Sequence, residues 1–225
     1  EIYNIGGGTL TGEDTEKIID QIYAISGRSP KRYHESGDDD FAVCMNGMRF
    51  RVSALRQRGS CAAVIRPVAS GIPDYKELGI PECVMDTAHL QKGLVLVTGP
   101  TGSGKSTTLA CVMDRVNHNY QKHIITIEDP IEFVYENDRS IFTQREVGTD
   151  TEGYAAALRA SLRQSPDVIL VGEMRDYDTI KTALTAAETG HLIFSTLHTI
   201  GIGSTVNRII DIFPPDQQQQ IRVQL

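Results

Sequence analysis

The apolar positions divide the chain into two textures. Residues 11–26 predict a helix, because Ile18, Ile22 and Ile25 follow the i, i+4, i+7 spacing of one helical face. Thr11 or Asp14 suits its start and Gly27 its end. A hairpin signal follows. Phe41, Val43 and Met45 alternate, Asn46-Gly47 supplies a two-residue turn, and Met48, Phe50 and Val52 alternate again. A third strand is expected over 61–65. This block predicts an α+β unit with an antiparallel sheet.

The punctuation Pro67, Gly71, Pro73, Gly79 and Pro81 then marks a linker or hinge. Beyond it the pattern changes. Short apolar runs at 94–98, 124–127, 168–171 and 192–195 read as buried strands. Helical stretches lie between them: one carries Leu109, Val112, Met113 and Val116 on a single face, and others span 154–163 and 179–189. Strands alternating with helices mean a mainly parallel sheet covered on both faces. The expected organisation is a small domain over 1–66, a hinge over 67–92 and an α/β domain over 93–225.

Composition narrows the class. With 225 residues, 40% hydrophobic and 23% charged, the chain is an ordinary globular one. No apolar run approaches the ~18 residues of a membrane span, and no secretory signal is visible. The 22 basic and 29 acidic residues leave a net charge of -7, which argues against a general nucleic-acid binder. The four cysteines form no C-x-x-C pair, so free thiols in a reducing cytosol are expected. The chain begins at Glu1 rather than Met, so an upstream piece is expected.

The strongest chemical signal is Gly99-Pro100-Thr101-Gly102-Ser103-Gly104-Lys105-Ser106, followed by Thr107. It fits G-x-x-x-x-G-K-[ST] between a strand and an amphipathic helix. Glycines let the backbone N–H groups wrap a phosphate, and the helix N-terminus adds its positive end. Lys105 would reach the β- and γ-phosphates, and Ser106 would hold Mg²⁺. The guanine-reading N-K-x-D sequence is absent, which points to ATP.

Hydrolysis also needs a group that orients water. Two acidic clusters follow strands: Glu128-Asp129-Pro130-Ile131-Glu132, and Glu173 after 168–171. Ligands in parallel sheets sit at the carboxyl ends of strands, so both clusters fall on the nucleotide side. Gly172 stands where an Asp often closes the Walker B strand, and Glu173 after it can hold Mg²⁺ through a water. Asp129, before Pro130, suits a turn or cap and ranks below Glu132 and Glu173 for chemistry.

The run from Leu162 to Asp176 resembles the signature of the secretion ATPase superfamily, which drives type II and type IV secretion and type IV pili. Residues 126–133 resemble its Asp box and residues 190–199 its His box. The order and spacing match over 93–225. Gly172-Glu173-Met174-Arg175-Asp176, Ala186-Ala187-Glu188-Thr189-Gly190-His191 and the run from Arg208 to Pro215 are most similar to pilus retraction ATPases. No four-cysteine zinc insert is visible, unlike many extension and secretion relatives.

The resemblance implies a RecA-like P-loop domain preceded by a smaller PAS-like domain. It implies Glu132 as general base, Glu173 as the Walker B acid, and His191 and His198 as histidines near the γ-phosphate and subunit boundary. It also implies Arg51, Arg58 and Arg66 as arginines reaching toward nucleotide phosphates. Arg suits that task because it is always charged and grips two oxygens. The implied protein is a cytoplasmic hexameric ring at the inner face of the membrane. It would hydrolyse Mg-ATP for pilus retraction on an inner-membrane platform protein. The family carries further helices beyond the position of Leu225 and earlier strands, so a fragment is expected. The rivals are a pilus-extension or secretion ATPase, a nucleic-acid translocase and a nucleotide-gated scaffold.

Overall fold

The computed structural model describes residues 8–46, 48–68 and 71–225. The chain forms two compact units, Glu1–Ser70 and Gly71–Leu225. Among the described residues, no helix is long and apolar enough to cross a membrane.

In the first unit, helix α1 (Gly12–Ser26) opens on a capping box. The Asp14 N–H donates to Thr11 Oγ1 at 3.3 Å, and the Thr11 N–H donates to Asp14 Oδ2 at 2.9 Å. Gly27, with φ 68°, closes the helix in the left-handed conformation that glycine tolerates. The buried face is one position off the expected stripe. Ile19 and Tyr23 are buried, while Ile18 and Ile25 face solvent and Ile22 is half-buried. Tyr23 sets this phase, because its hydroxyl donates to the buried carboxylate of Asp39 at 3.1 Å.

After a short helix α2 (Lys31–Ser36) come strands β1 (Asp38–Met45), β2 (Met48–Gln57) and β3 (Ser60–Pro67). They form an antiparallel sheet in the order β1-β2-β3. Met45 pairs with Met48 across the expected turn. Asn46 there has φ 53°, and Gly47 lies outside the described residues. One face, with Phe41, Val43, Val52 and Ala54, packs with Ile19, Tyr23 and Tyr33. The opposite face carries Asp40, Arg51, Ser53 and Arg66.

The second unit begins at Gly71, inside the segment expected as a hinge. Residues 71–92 contain α3 (Glu82–Met85) and a 3-10 turn at Asp86–His89. Met85 and Ala88 are core residues, with Ile72, Tyr75, Ile80 and Val84 packed beside them. Arg115 ties the segment down with an ion pair to Glu82. The prolines and glycines shape turns over a packed surface here, so most of 67–92 belongs to the α/β unit.

Five strands follow: β4 (Gly93–Thr98), β5 (His123–Glu128), β6 (Ile141–Glu146), β7 (Val168–Val171) and β8 (Leu192–Leu197). All their pairings are parallel, in the order β4-β8-β7-β5-β6. Side chains alternate between two cores. Ile124, Val168, Leu170, Leu192 and Phe194 face α4 (Lys105–Asn119). Ile125, Ile127, Ile169, Val171 and Ile193 face the cluster made with α5 (Tyr154–Ser161), α6 (Tyr177–Glu188), α7 (Ile202–Asp211) and α8 (Pro215–Gln224). Leu109, Val112, Met113 and Val116 of α4 are all buried, as their spacing predicts.

The first unit depends on one buried charge. Arg28 donates from Nε and Nη2 to the two oxygens of Asp39, at 3.0 and 3.1 Å, and Arg32 lies at 3.7 Å. Asp39→Ala should lower the stability of this unit by about 3 kcal/mol, since it strands the largely buried Arg28 and the Tyr23 hydroxyl. Hydrogen exchange of the α1 and β1 amides checks this. A change below about 1 kcal/mol would show that solvent replaces the carboxylate.

Candidate nucleotide site

The loop after β4 is built as an anion cradle. Gly102 and Gly104 have φ of 79° and 85°, with open space where a Cβ would stand. At Gly99 a Cβ would come within 2.8 Å of Ser103 Oγ. Only glycine takes these three places without strain or collision. Gly104 is the N-cap of α4 and offers no side chain, and the first turn holds no acidic residue. The first N–H groups of α4 and its positive end therefore face the loop. Lys105, at 8% exposure, donates from Nζ to the carbonyls of Gly99 (3.0 Å) and Pro100 (2.9 Å). An ammonium is thus fixed across the mouth of the cradle. Thr101, Ser103 and Ser106 are exposed and Thr107 is half-buried. The set fits a polyphosphate, and the Ser106 hydroxyl is exposed where a hard cation would need an oxygen.

The neighbouring strand ends bring acids and one histidine to the same edge. Gly172 and Glu173 follow β7, and His198 follows β8. Glu173 Oε2 accepts from Arg175 Nε at 2.7 Å and lies 3.5 Å from His198 Nε2. The structure therefore joins two residues that the sequence assigns to different motifs. Glu132 lies beyond β5, and its side chain is exposed. Its N–H donates to Glu128 Oε2 at 3.4 Å. Burial pushes the Glu128 carboxyl above its ordinary range, and the Thr126 hydroxyl, the Glu132 N–H and the Gln144 side chain oppose that in part.

Tyr154 is a site residue that the sequence pattern shows only as the start of a helix. Burial raises its phenol, and the charges of Glu173, Asp129 and Glu128 raise it further. It stands among the acids of two strand ends. Its hydroxyl also explains Gly172. A Cβ there would meet the Ile127 carbonyl at 3.2 Å and the Tyr154 hydroxyl at 3.3 Å. The strand closes on glycine because an Asp side chain lacks room.

His191 stands apart from His198 in this chain. It precedes β8, hydrogen-bonds the Ala186 carbonyl at 3.2 Å and passes its own carbonyl to the Gly93 N–H. The six residues of β8 separate it from His198, which at ~3.3 Å per residue is about 20 Å. It therefore sits at the far end of the sheet from this chain's phosphate loop.

The three arginines lie in the first unit. Arg51 and Arg66 are direct cross-strand partners and line a cavity of about 250 Å³ with Asp40, Ser53 and Val64. Arg58 occupies the β2–β3 turn with φ 50° and is exposed.

Comparison with known proteins places this geometry. The family model for type II/IV secretion system proteins matches residues 30–221. The chain belongs to that family. It is 48% identical over 206 residues to the type IV pilus retraction ATPase PilT of Pseudomonas aeruginosa, covering 91% of this chain and 60% of that protein. It is 49% identical over 217 residues to a twitching motility protein of Neisseria gonorrhoeae, covering 96% of this chain and 58% of that protein. Among solved structures, the pilus retraction motor PilT with bound ADP matches with a TM-score of 0.90 and 52% identity, over 95% of this chain and 62% of that one. The fold of the second unit is RecA-like. The chain spans about three fifths of the length of these relatives.

Two outcomes follow from the site. Lys105→Ala should weaken ADP binding by about tenfold or more, the worth of a charge-assisted hydrogen bond. Titration with a fluorescent ADP analogue checks this, and a loss below threefold would assign the binding to the backbone cradle alone. Gly172→Ala should destabilise the second unit by roughly 1–2 kcal/mol through overpacking against a backbone carbonyl. An unchanged urea midpoint would show that β7 shifts freely.

Proposed function

We propose that this chain is the ATPase core of a ring motor that hydrolyses Mg-ATP to retract a type IV pilus. One observation supports it most: the glycine cradle with its fixed ammonium shares a sheet edge with Glu132 and with the Glu173–His198 pair. Glu132 has the exposure a water-orienting base needs. Lys105 and the α4 N-terminus stabilise charge on the transferring phosphoryl group. Ser106, directly, and Glu173, through a water, would hold Mg²⁺, which would supply further neutralising charge. His198 holds Glu173 in place. Arg51, Arg58 and Arg66 are the anion-facing groups of the first unit.

The retraction reading rests on likeness to PilT proteins. We extend it to a homo-hexamer acting at the cytoplasmic face of the inner membrane on a pilus platform protein. The net charge of -7 favours that partner over nucleic acid.

Phosphate release from Mg-ATP, measured across a protein concentration series, tests the reading. Specific activity should rise with concentration and fall at least 100-fold in Glu132→Gln, within the range for loss of a general base. Normal turnover by Glu132→Gln would remove the base assignment. Activity that does not depend on concentration would remove the ring.

A further inference from the structure

The loop carrying Glu132 belongs to no strand, yet it is held at four points between Ile131 and Tyr135. Glu128 and Glu146 are register partners at the ends of β5 and β6, with exposures of 9% and 5%. Glu128 Oε2 accepts the N–H of Glu132, and Glu146 Oε2 accepts the N–H of Ile131 at 3.1 Å. Gln144, two residues before Glu146 on β6, accepts the Tyr135 N–H and donates to the Phe133 carbonyl, each at 2.9 Å. Glu146 is braced in turn, since its N–H donates to Asp150 Oδ2 at 2.7 Å and the Thr149 hydroxyl donates to its Oε1 at 3.4 Å. Ile131, Phe133 and Tyr135 are buried, so Glu132 is turned outward between buried neighbours.

Glu128 differs from Glu146 in one respect. Its Oε1 is buried with no hydrogen-bond partner, and so is Oγ1 of Thr126, on the same face of β5. Burial of this carboxylate outweighs the Thr126, Glu132 and Gln144 groups that favour its charge. A neutral acid removes the charge and lets Oε1–H face the Thr126 hydroxyl.

We propose that Glu128, working as a neutral carboxyl, and Glu146 are positioning residues that fix how far Glu132 stands above the sheet edge. Burial acts on Glu128 in the direction this requires. The inference rests on the reading of Glu132 as base, and the test separates the two.

The experiment uses the full chain and reads steady-state hydrolysis of Mg-ATP and backbone amide exchange over residues 131–135. Glu128→Ala should lower kcat by about 10- to 100-fold, the effect of a misplacement near 1 Å, with KM for ATP within twofold. Exchange at the Glu132 amide should quicken by at least tenfold. Glu128→Gln keeps a neutral acceptor and supplies a donor to Thr126, so it should recover most of the lost kcat and of the protection. Glu146→Gln should quicken exchange at Ile131 more than at Glu132.

Unchanged exchange and kcat in Glu128→Ala would overturn the clamp. A Glu128→Gln variant as damaged as Glu128→Ala, but with its melting intact, would overturn the neutral acid and point to a charged role. If Glu132→Gln turns over ATP normally, the base reading falls, and the exchange data still decide the clamp.

Discussion

All five strands of the second unit run the same way, so every carboxyl end lies along one edge of the sheet. The chemistry depends on that constraint. The phosphate loop leaves β4, His198 leaves β8, Glu173 leaves β7, and Glu128 and Glu146 close β5 and β6. Strands are spaced ~4.8 Å apart, so groups up to 99 positions apart in sequence, from Gly99 to His198, come within side-chain reach of neighbours. The same constraint puts His191, which shares a motif with His198, on the amino side of β8. Closeness in sequence across a six-residue strand puts two residues at opposite ends of the sheet.

A parallel edge leaves its last carbonyls without ladder partners, and side chains fill that need. Ser195 Oγ donates to the Val171 carbonyl at 2.7 Å, and Thr196 Oγ1 to the Gly172 carbonyl at 2.6 Å. The Gly172 N–H reaches Ile127 O at 2.8 Å, and the Met174 N–H reaches Thr196 O at 3.3 Å. Glu173 is therefore held between two residues whose backbones are both pinned. Its carboxylate turns toward Arg175 and His198. Buried hydroxyls in strand ends, such as Ser195 and Thr196, are the positioning layer of this site.

The sequence shows these parts unevenly. β5, β7 and β8 stand out as apolar runs because both of their faces are buried, and β4, at one edge of the sheet, is apolar though half-buried throughout. β6, at the other edge, does not, because its residues are mostly half-buried and polar. Glu146 and Gln144 were hidden with it. The α1 stripe was read one position off because a buried tyrosine outranks an isoleucine where its hydroxyl finds a carboxylate. Glycine and proline suggested a hinge over 67–92, yet Met85 and Ala88 anchor that segment to a core that no local pattern reveals. Motif residues were legible because their spacing encodes backbone conformation, as at Gly102 and Gly104. Tyr154 was not, since its role arises only where α5 meets two strand ends.

The two units gather positive charge by different physics. The second uses backbone N–H groups, a helix terminus and one ammonium whose partners are carbonyls, so little charge is stored. The first places Arg51 directly across from Arg66. Like charges in that relation destabilise a strand pair, and the sheet keeps them on its polar face beside Asp40. One carboxylate stands beside two guanidinium groups there, so positive charge gathers on side chains around a cavity of about 250 Å³, where the second unit gathers it on backbone.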